Sequence, residues 1–200
     1  MIRIEKVDVC GFEAAIRGMR NPLNSWTKSD SEGDCVGECD LDLMLRLAKA
    51  GSEHAKYRRM IIVSVDILAP LYWWKEFDTY KVGTVANSCS TMHKIAEKKF
   101  VLSDFSHEHM SLGIRSVLNS VIEALNNCRD MYNETSDKQH WWNMIQLLPS
   151  SYNQRRTVVM NYEVLSNIYH QRQGHKLDEW RDFCNWIKAL PYHQIITLVE

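Results

Sequence analysis

Apolar residues recur along this chain with two spacings, one of period two and one of three to four. Ile2, Ile4, Val7 and Val9 predict a short opening strand that ends at Gly11, and residues 12–19 carry helical spacing up to Asn21-Pro22. Residues 24–40 are polar and contain glycine, which predicts a mobile loop. Asp40 or Asp42 is placed to cap a helix over residues 43–50, and Ser52 a short one over residues 54–59. Residues 60–68 are nearly all apolar and rich in β-branched side chains, the clearest strand of the sequence. Pro70 opens an aromatic helix over 71–77, and residues 90–98 read as helical. Long helices are predicted at 105–132 and 137–148, the first with Leu112, Val117, Val121, Ile122 and Leu125 at helical spacing. Two more follow at 157–173 and 177–190, parted by Gly174 and stopped by Pro191, and residues 195–199 read as a closing strand. No repeat or linker divides these elements, so residues 1–200 are expected to form a single α+β domain, helix-dominant with a small sheet.

Composition narrows the class without naming a function. With 200 residues, 45% apolar and 24% charged, the chain is long enough to bury a substantial core. A net charge of −1 implies no general attraction to a nucleic-acid polymer or an anionic membrane. No apolar run approaches the roughly 20 residues of a membrane helix, and Met1 to Lys6 alternates charge where a secretory signal would be apolar. The expectation is a cytoplasmic protein. Cys10, Cys35, Cys39, Cys89, Cys128 and Cys184 follow no disulfide framework. Cys35 and Cys39 supply half a zinc site, but His107 and His109 make a poor second half, so no metal is expected.

Candidate chemistry concentrates late in the chain. After Leu148-Pro149, the polar residues Arg155, Asn161, Asn167 and Arg172 interrupt an otherwise apolar periodic run containing Val159, Leu165 and Ile168. Polar groups in such a run are costly unless they meet each other or a ligand. Their order and intervals resemble the C-terminal signature of the flavin-dependent thymidylate synthases. That family also carries Arg-His-Arg, seven residues, then Ser, with Asn-Glu inside the gap. Here the matching stretch begins Tyr80-Lys81-Val82 and continues to Asn87, Ser88 and Ser90, so Asn87 and Ser90 match while Ser88 stands for Glu and Met92 for Arg. His54 falls at the first His of an upstream family motif, sixteen residues before Pro70, with Met60 at the second. Downstream, Ile145 and Glu163 stand where the family has Arg. The resemblance spans residues 50–190.

The family methylates dUMP with a folate carbon and a flavin hydride. The resemblance therefore implies a flavin-dependent thymidylate synthase-like fold with a mostly antiparallel sheet and a pocket for a pyrimidine deoxynucleotide. It places Arg172 and Ser90 at the reacting base, with Ser88 and Arg155 joining them in holding the nucleotide. It places His54, Asn87, Asn161 and Asn167 at FAD. On the predicted helix, Asn161 and Arg172 are eleven residues apart and share a face, with Asn167 on another side. Arg172 would stabilise negative charge developing on the base. Plainer roles stand beside each of these. Arg172 can neutralise a helix C-terminus, Ser90 can cap a helix, and Asn161 and Asn167 can satisfy internal hydrogen bonds. His54 can be a surface residue and Asn87 a turn residue.

The replaced arginines bear on the cofactor. Arg makes paired, charge-assisted hydrogen bonds to phosphate, each worth about 1.5–3 kcal/mol net, against about 8 kcal/mol for a micromolar ligand. Losing three weakens the case for FAD unless Lys75, Lys81, Arg155 or Arg156 take over. Two readings follow: a diverged enzyme binding and modifying a dUMP-like nucleotide, or a non-catalytic descendant binding a protein or small ligand. The tryptophan pairs Trp73-Trp74 and Trp141-Trp142 read as core or subunit interface, Lys56, Arg58 and Arg59 as a solvated face. A homotetramer is the implied assembly.

Overall fold

The computed structural model describes residues 2–198, and within them the fold is α+β, helix-dominant with a small, mostly antiparallel sheet. Strand β1 (Arg3–Cys10) leads through Gly11 into α1 (Phe12–Arg20), and α2 (Glu38–Lys49) follows a long irregular stretch. A 3-10 turn (Ala55–Met60) precedes β2 (Ile62–Pro70), whose last residue caps α3 (Leu71–Phe77). Next come β3 (Thr84–Ser88), the single-turn α4 (Thr91–Lys94), α5 (Leu112–Thr135) and α6 (Lys138–Leu147). The chain closes with β4 (Asn153–Asn161), α7 (Tyr162–Arg172), α8 (Asp178–Ile187) and the short α9 (Gln194–Thr197). The strands lie in the order β1-β2-β4-β3.

Two compact units can be distinguished. One comprises residues 2–3, Ile67–Asp78 and Asn87–Arg156. Its interior includes Ile95, Phe100, Phe105, Leu118, Ile122, Leu125 and Met144, so of the helical spacing read on α5 Ile122 and Leu125 face the core and Val121 packs against it, whereas Leu112 and Val117 are exposed. Trp73 and Trp74 are fully buried in the same unit, Trp73 stacked on Phe77 and Trp74 edge-on to it. The other unit comprises Ile4–Asp66, Thr79–Ala86 and residues 157–198. Trp180, Tyr162, Phe183, Met44 and Ile61 are fully buried there.

Several expected elements change. The predicted helix at 157–173 is a strand up to Asn161 and a helix only from Tyr162. Residues 157–159 are β-branched, and burial at Gln154, Val158 and Met160 has the period of two that a sheet face requires. Asn161 therefore ends a strand and does not share a helix face with Arg172. Helix α5 begins at Leu112 rather than 105, because Phe105 instead pairs with Tyr152 in a β-bridge. Residues 95–98 fall outside α4, and β3 is an additional strand that its polar, exposed sequence did not announce. Residues 194–197 are helical where a strand was expected; the final residue of that stretch, 199, lies outside the described residues.

Helix α2 starts at Glu38, so Asp40 lies inside it instead of capping it. Asp40 is fully buried and accepts from Arg20 Nε at 2.6 Å, Ser29 Oγ at 2.6 Å and Ser31 Oγ at 2.7 Å. Asp30 in turn accepts from the amides of Cys39 and Asp40, the unpaired donors of the first helical turn. The stretch between α1 and α2 is thus stitched to one carboxylate.

Candidate functional site

The eight residues singled out from the sequence divide between the two units. In the first, Asn87 and Ser88 are exposed residues at the end of β3, and Ser90 follows them. Ser90 Oγ accepts from the His93 amide at 3.2 Å and caps α4. Arg155 lies on β4, half-buried, and its carbonyl accepts from the Cys89 amide at 3.0 Å. That bond brings Arg155 next to the segment holding Ser88 and Ser90.

The neighbouring Arg156 is the anchor that sequence reasoning undervalued. Its guanidinium lies 4.3 Å from the centre of the Trp74 ring and donates to Asp78 Oδ1 at 2.6 Å and to Gln154 Oε1 at 3.0 Å. Gln154 then donates from Nε2 to the Cys89 carbonyl and to Thr91 Oγ1, both at 3.1 Å. The chain around Cys89 is therefore held from both ends by β4 side chains and backbone. This part-buried polar chain fixes geometry because its members satisfy one another.

In the second unit, His54, Asn161, Asn167 and Arg172 do not form one cluster. Asn167 is exposed on α7. His54 is exposed and lines a cavity of about 1200 Å³ with Met19, Lys28, Leu43, Leu47 and Tyr57, in which no other candidate residue takes part. Tyr57 holds that wall by donating to the Met44 carbonyl at 2.7 Å, and burial pushes its phenol up to about 12.

Asn161 and Arg172 both meet the segment 80–83, although from opposite ends of α7. Asn161 Oδ1 accepts from the Val164 amide at 3.0 Å and starts the helix. Gly83, at φ +79°, passes so close that an added Cβ would lie 2.8 Å from Asn161 Nδ2, so glycine is required by both conformation and space. At the other end, Arg172 Nε donates to the Tyr80 hydroxyl at 2.9 Å, and that hydroxyl donates to Gln171 Oε1 at 2.9 Å. The Arg172 guanidinium also lies 4.8 Å from the Trp180 ring centre and 5.7 Å from that of Tyr80. Two aromatic faces and a directed hydrogen bond hold one cation in place. Its charge, with that of Lys188, works against the burial that pushes the Cys184 thiol up to about 11.

Arg58 corrects the expected solvated face, because it is only 5% exposed. Its Nη1 donates to Ser166 Oγ at 3.3 Å and lies 3.6 Å from Glu163 Oε2, while its Nε and Nη2 have no hydrogen-bond partner. Tyr80, Trp180, Arg58 and Glu163 carry no spacing signal that separates them from core or surface residues. Only the departure from the basic signature at Tyr80 and Glu163 marked those two positions.

Solved structures share this architecture. Flavin-dependent thymidylate synthase ThyX from Helicobacter pylori, complexed with FAD and dUMP, aligns over 96% of this chain and 98% of its own with a TM-score of 0.73 and 19% identity. A second structure of that enzyme with FAD and dUMP gives 0.75 and 18% identity over 98% of each chain. The fold is that of ThyX. The UMP/dUMP methylase PolB from Streptomyces cacaoi, bound with 5-Br dUMP, aligns over 99% of this chain and 95% of its own at a TM-score of 0.65 and 14% identity. No protein-family model and no curated protein matches the sequence. Among the described residues no helix is long and apolar enough to cross a membrane.

Proposed function

We propose that this chain binds a pyrimidine deoxynucleotide of the dUMP type, with Arg172 as the cation that meets the base. The observation that carries this reading is the fixed guanidinium of Arg172, held by Tyr80 and Trp180 in a ThyX fold. A preoriented cation suits a pyrimidine because modification of the ring at C5 places negative charge on its carbonyl and N3 atoms. The resemblance also assigns Ser88, Ser90 and Arg155 to nucleotide binding, and within their own unit Cys89 and β4 tether them to one another.

FAD fits less well. Where the resemblance expects an arginine, Glu163 presents a carboxylate whose Oε2 is buried without a hydrogen-bond partner. Asn161, assigned to the cofactor, spends its side-chain oxygen on the Val164 amide, while Asn87, Asn167 and His54 are exposed. A diphosphate-bearing cofactor needs several fixed donors, and a half-buried carboxylate there opposes it. No step of this reading passes through a flavin. Methylation of the bound base belongs to the proposal only as the chemistry named for PolB.

A non-catalytic binding role is the second reading, favoured by Ser90 and Asn161 both being engaged as helix caps. Assembly into a homotetramer, in the cytoplasm, completes the proposal. Leu112, Ile114, Val117 and Met131 leave one long helix with large exposed apolar side chains that a subunit contact would cover. Calorimetric titration with dUMP tests the main reading. Saturable binding is expected, weakened at least tenfold in Arg172→Ala, and no heat at millimolar nucleotide with the intact protein would remove it.

A further inference from the structure

We infer that Tyr80 is a positioning residue that aims Arg172 at the base, and that it does so as an uncharged side chain. This rests on the nucleotide-binding reading above and goes one residue further. The phenol sits at the first position of the stretch where the resemblance expects three basic residues. Its oxygen is placed in a two-bond relay, accepting from Arg172 Nε at 2.9 Å and donating to Gln171 Oε1 at 2.9 Å. Because the hydroxyl proton is directed to Gln171, the oxygen lone pair is left for Arg172, so the polarity of the relay is defined. The Tyr80 ring packs edge-on to Trp180 with centroids 6.0 Å apart, and Trp180 is fully buried. The relay therefore rests on a rigid wall, and the direction of the guanidinium is set by Nε rather than by a ligand. Fixing a charged side chain beforehand removes the rotamer entropy that binding would otherwise cost.

The neutrality of Tyr80 gives the inference a chemical direction. An aromatic hydroxyl adds no charge for a phosphate, so what Tyr80 contributes through Arg172 is recognition of the base. Replacing it must then weaken a nucleoside and its 5′-monophosphate by the same factor. A cation-like role in phosphate binding would weaken the monophosphate alone.

The experiment compares the intact protein with Tyr80→Phe, which keeps the ring and removes the oxygen, titrating dUMP, deoxyuridine and inorganic phosphate separately. The expected result is a loss of roughly tenfold for dUMP and for deoxyuridine alike, with no change for phosphate and an unchanged melting temperature within a few degrees. Tyr80→Gln, which restores a side-chain oxygen, is expected to recover part of the loss. Nitrogen-15 NMR gives a readout independent of ligand: the Arg172 Nε–H resonance is protected in the parent and exposed to exchange in Tyr80→Phe. Equal affinity of parent and Tyr80→Phe for both ligands overturns the inference, as does a loss confined to dUMP. If the parent binds neither ligand, the nucleotide-binding reading itself fails. Should Tyr80→Phe not fold, Gln171→Ala breaks the other bond of the relay and is held to the same two criteria.

Discussion

Two buried arginines of this chain meet acidic partners in opposite ways. Arg20 and Asp40 are 5% and 0% exposed and in direct contact, and the carboxylate is further satisfied by Ser29, Ser31 and the Asp30 amide. Arg20 uses its remaining donors on the Ser25 and Lys28 carbonyls. Arg58 and Glu163 are as deeply placed on the arginine side, yet 3.6 Å apart, with two nitrogens and one oxygen lacking a hydrogen-bond partner. The difference teaches that burial alone does not make an ion pair a structural clamp. The mutual attraction of two buried charges offsets their desolvation only when the other lone pairs and protons also find partners. The first pair ties down a loop. The second carries slack, and its Glu163 lies on α7, the helix that ends at Arg172.

Breaking each pair separates the two cases. Asp40→Ala leaves the Arg20 guanidinium buried without its carboxylate and strips three loop donors of their acceptor. A loss of about 3–5 kcal/mol is expected in urea unfolding, the largest effect of any substitution discussed. A smaller effect is expected from the double replacement Arg58→Met with Glu163→Leu, which removes both slack partners together. Stability should stay within about 1 kcal/mol of the parent or rise, because no satisfied network is lost. If the double variant falls as far as Asp40→Ala, the contrast between the pairs is wrong.

The smallest effect is a pH dependence of the clamp. Burial raises the Asp40 carboxyl, but hydrogen bonds from Ser29, Ser31 and Arg20 outweigh it and hold the group below its ordinary value of 3.8. A folded value below the unfolded one contributes stability above about 3.8, and that contribution is lost as pH falls through the folded value. Hydrogen exchange of the loop amides, compared with Asp40→Asn, should therefore diverge from the parent above that range and converge below it. Parallel profiles at every pH would assign the loop's order to something other than Asp40.

Long apolar spacing was the most legible part of the sequence. The strand at 62–70, the helix at 71–77 and the helix at 138–147 lie within two residues of expectation, because each buries a regular face in the core. The stretch 153–161 was misread for a reason that has a physical basis. Its apolar residues suit either period, and pairing with two neighbouring strands, invisible locally, decides for the sheet. The same blindness moved Asn161 from a helix face to a strand end and kept Arg58 on the surface until its burial was seen.

Residue order alone determined the α+β class, the apolar elements and the positions at which basic residues of the resembled signature are replaced. Tertiary structure alone decided what those replacements do. Tyr80 and Arg172 are 92 residues apart, and nothing in local pattern relates them until Arg172 donates to the phenol at 2.9 Å. Periodicity reports which face of an element is buried, whereas a directed hydrogen bond depends on where two distant elements place single atoms.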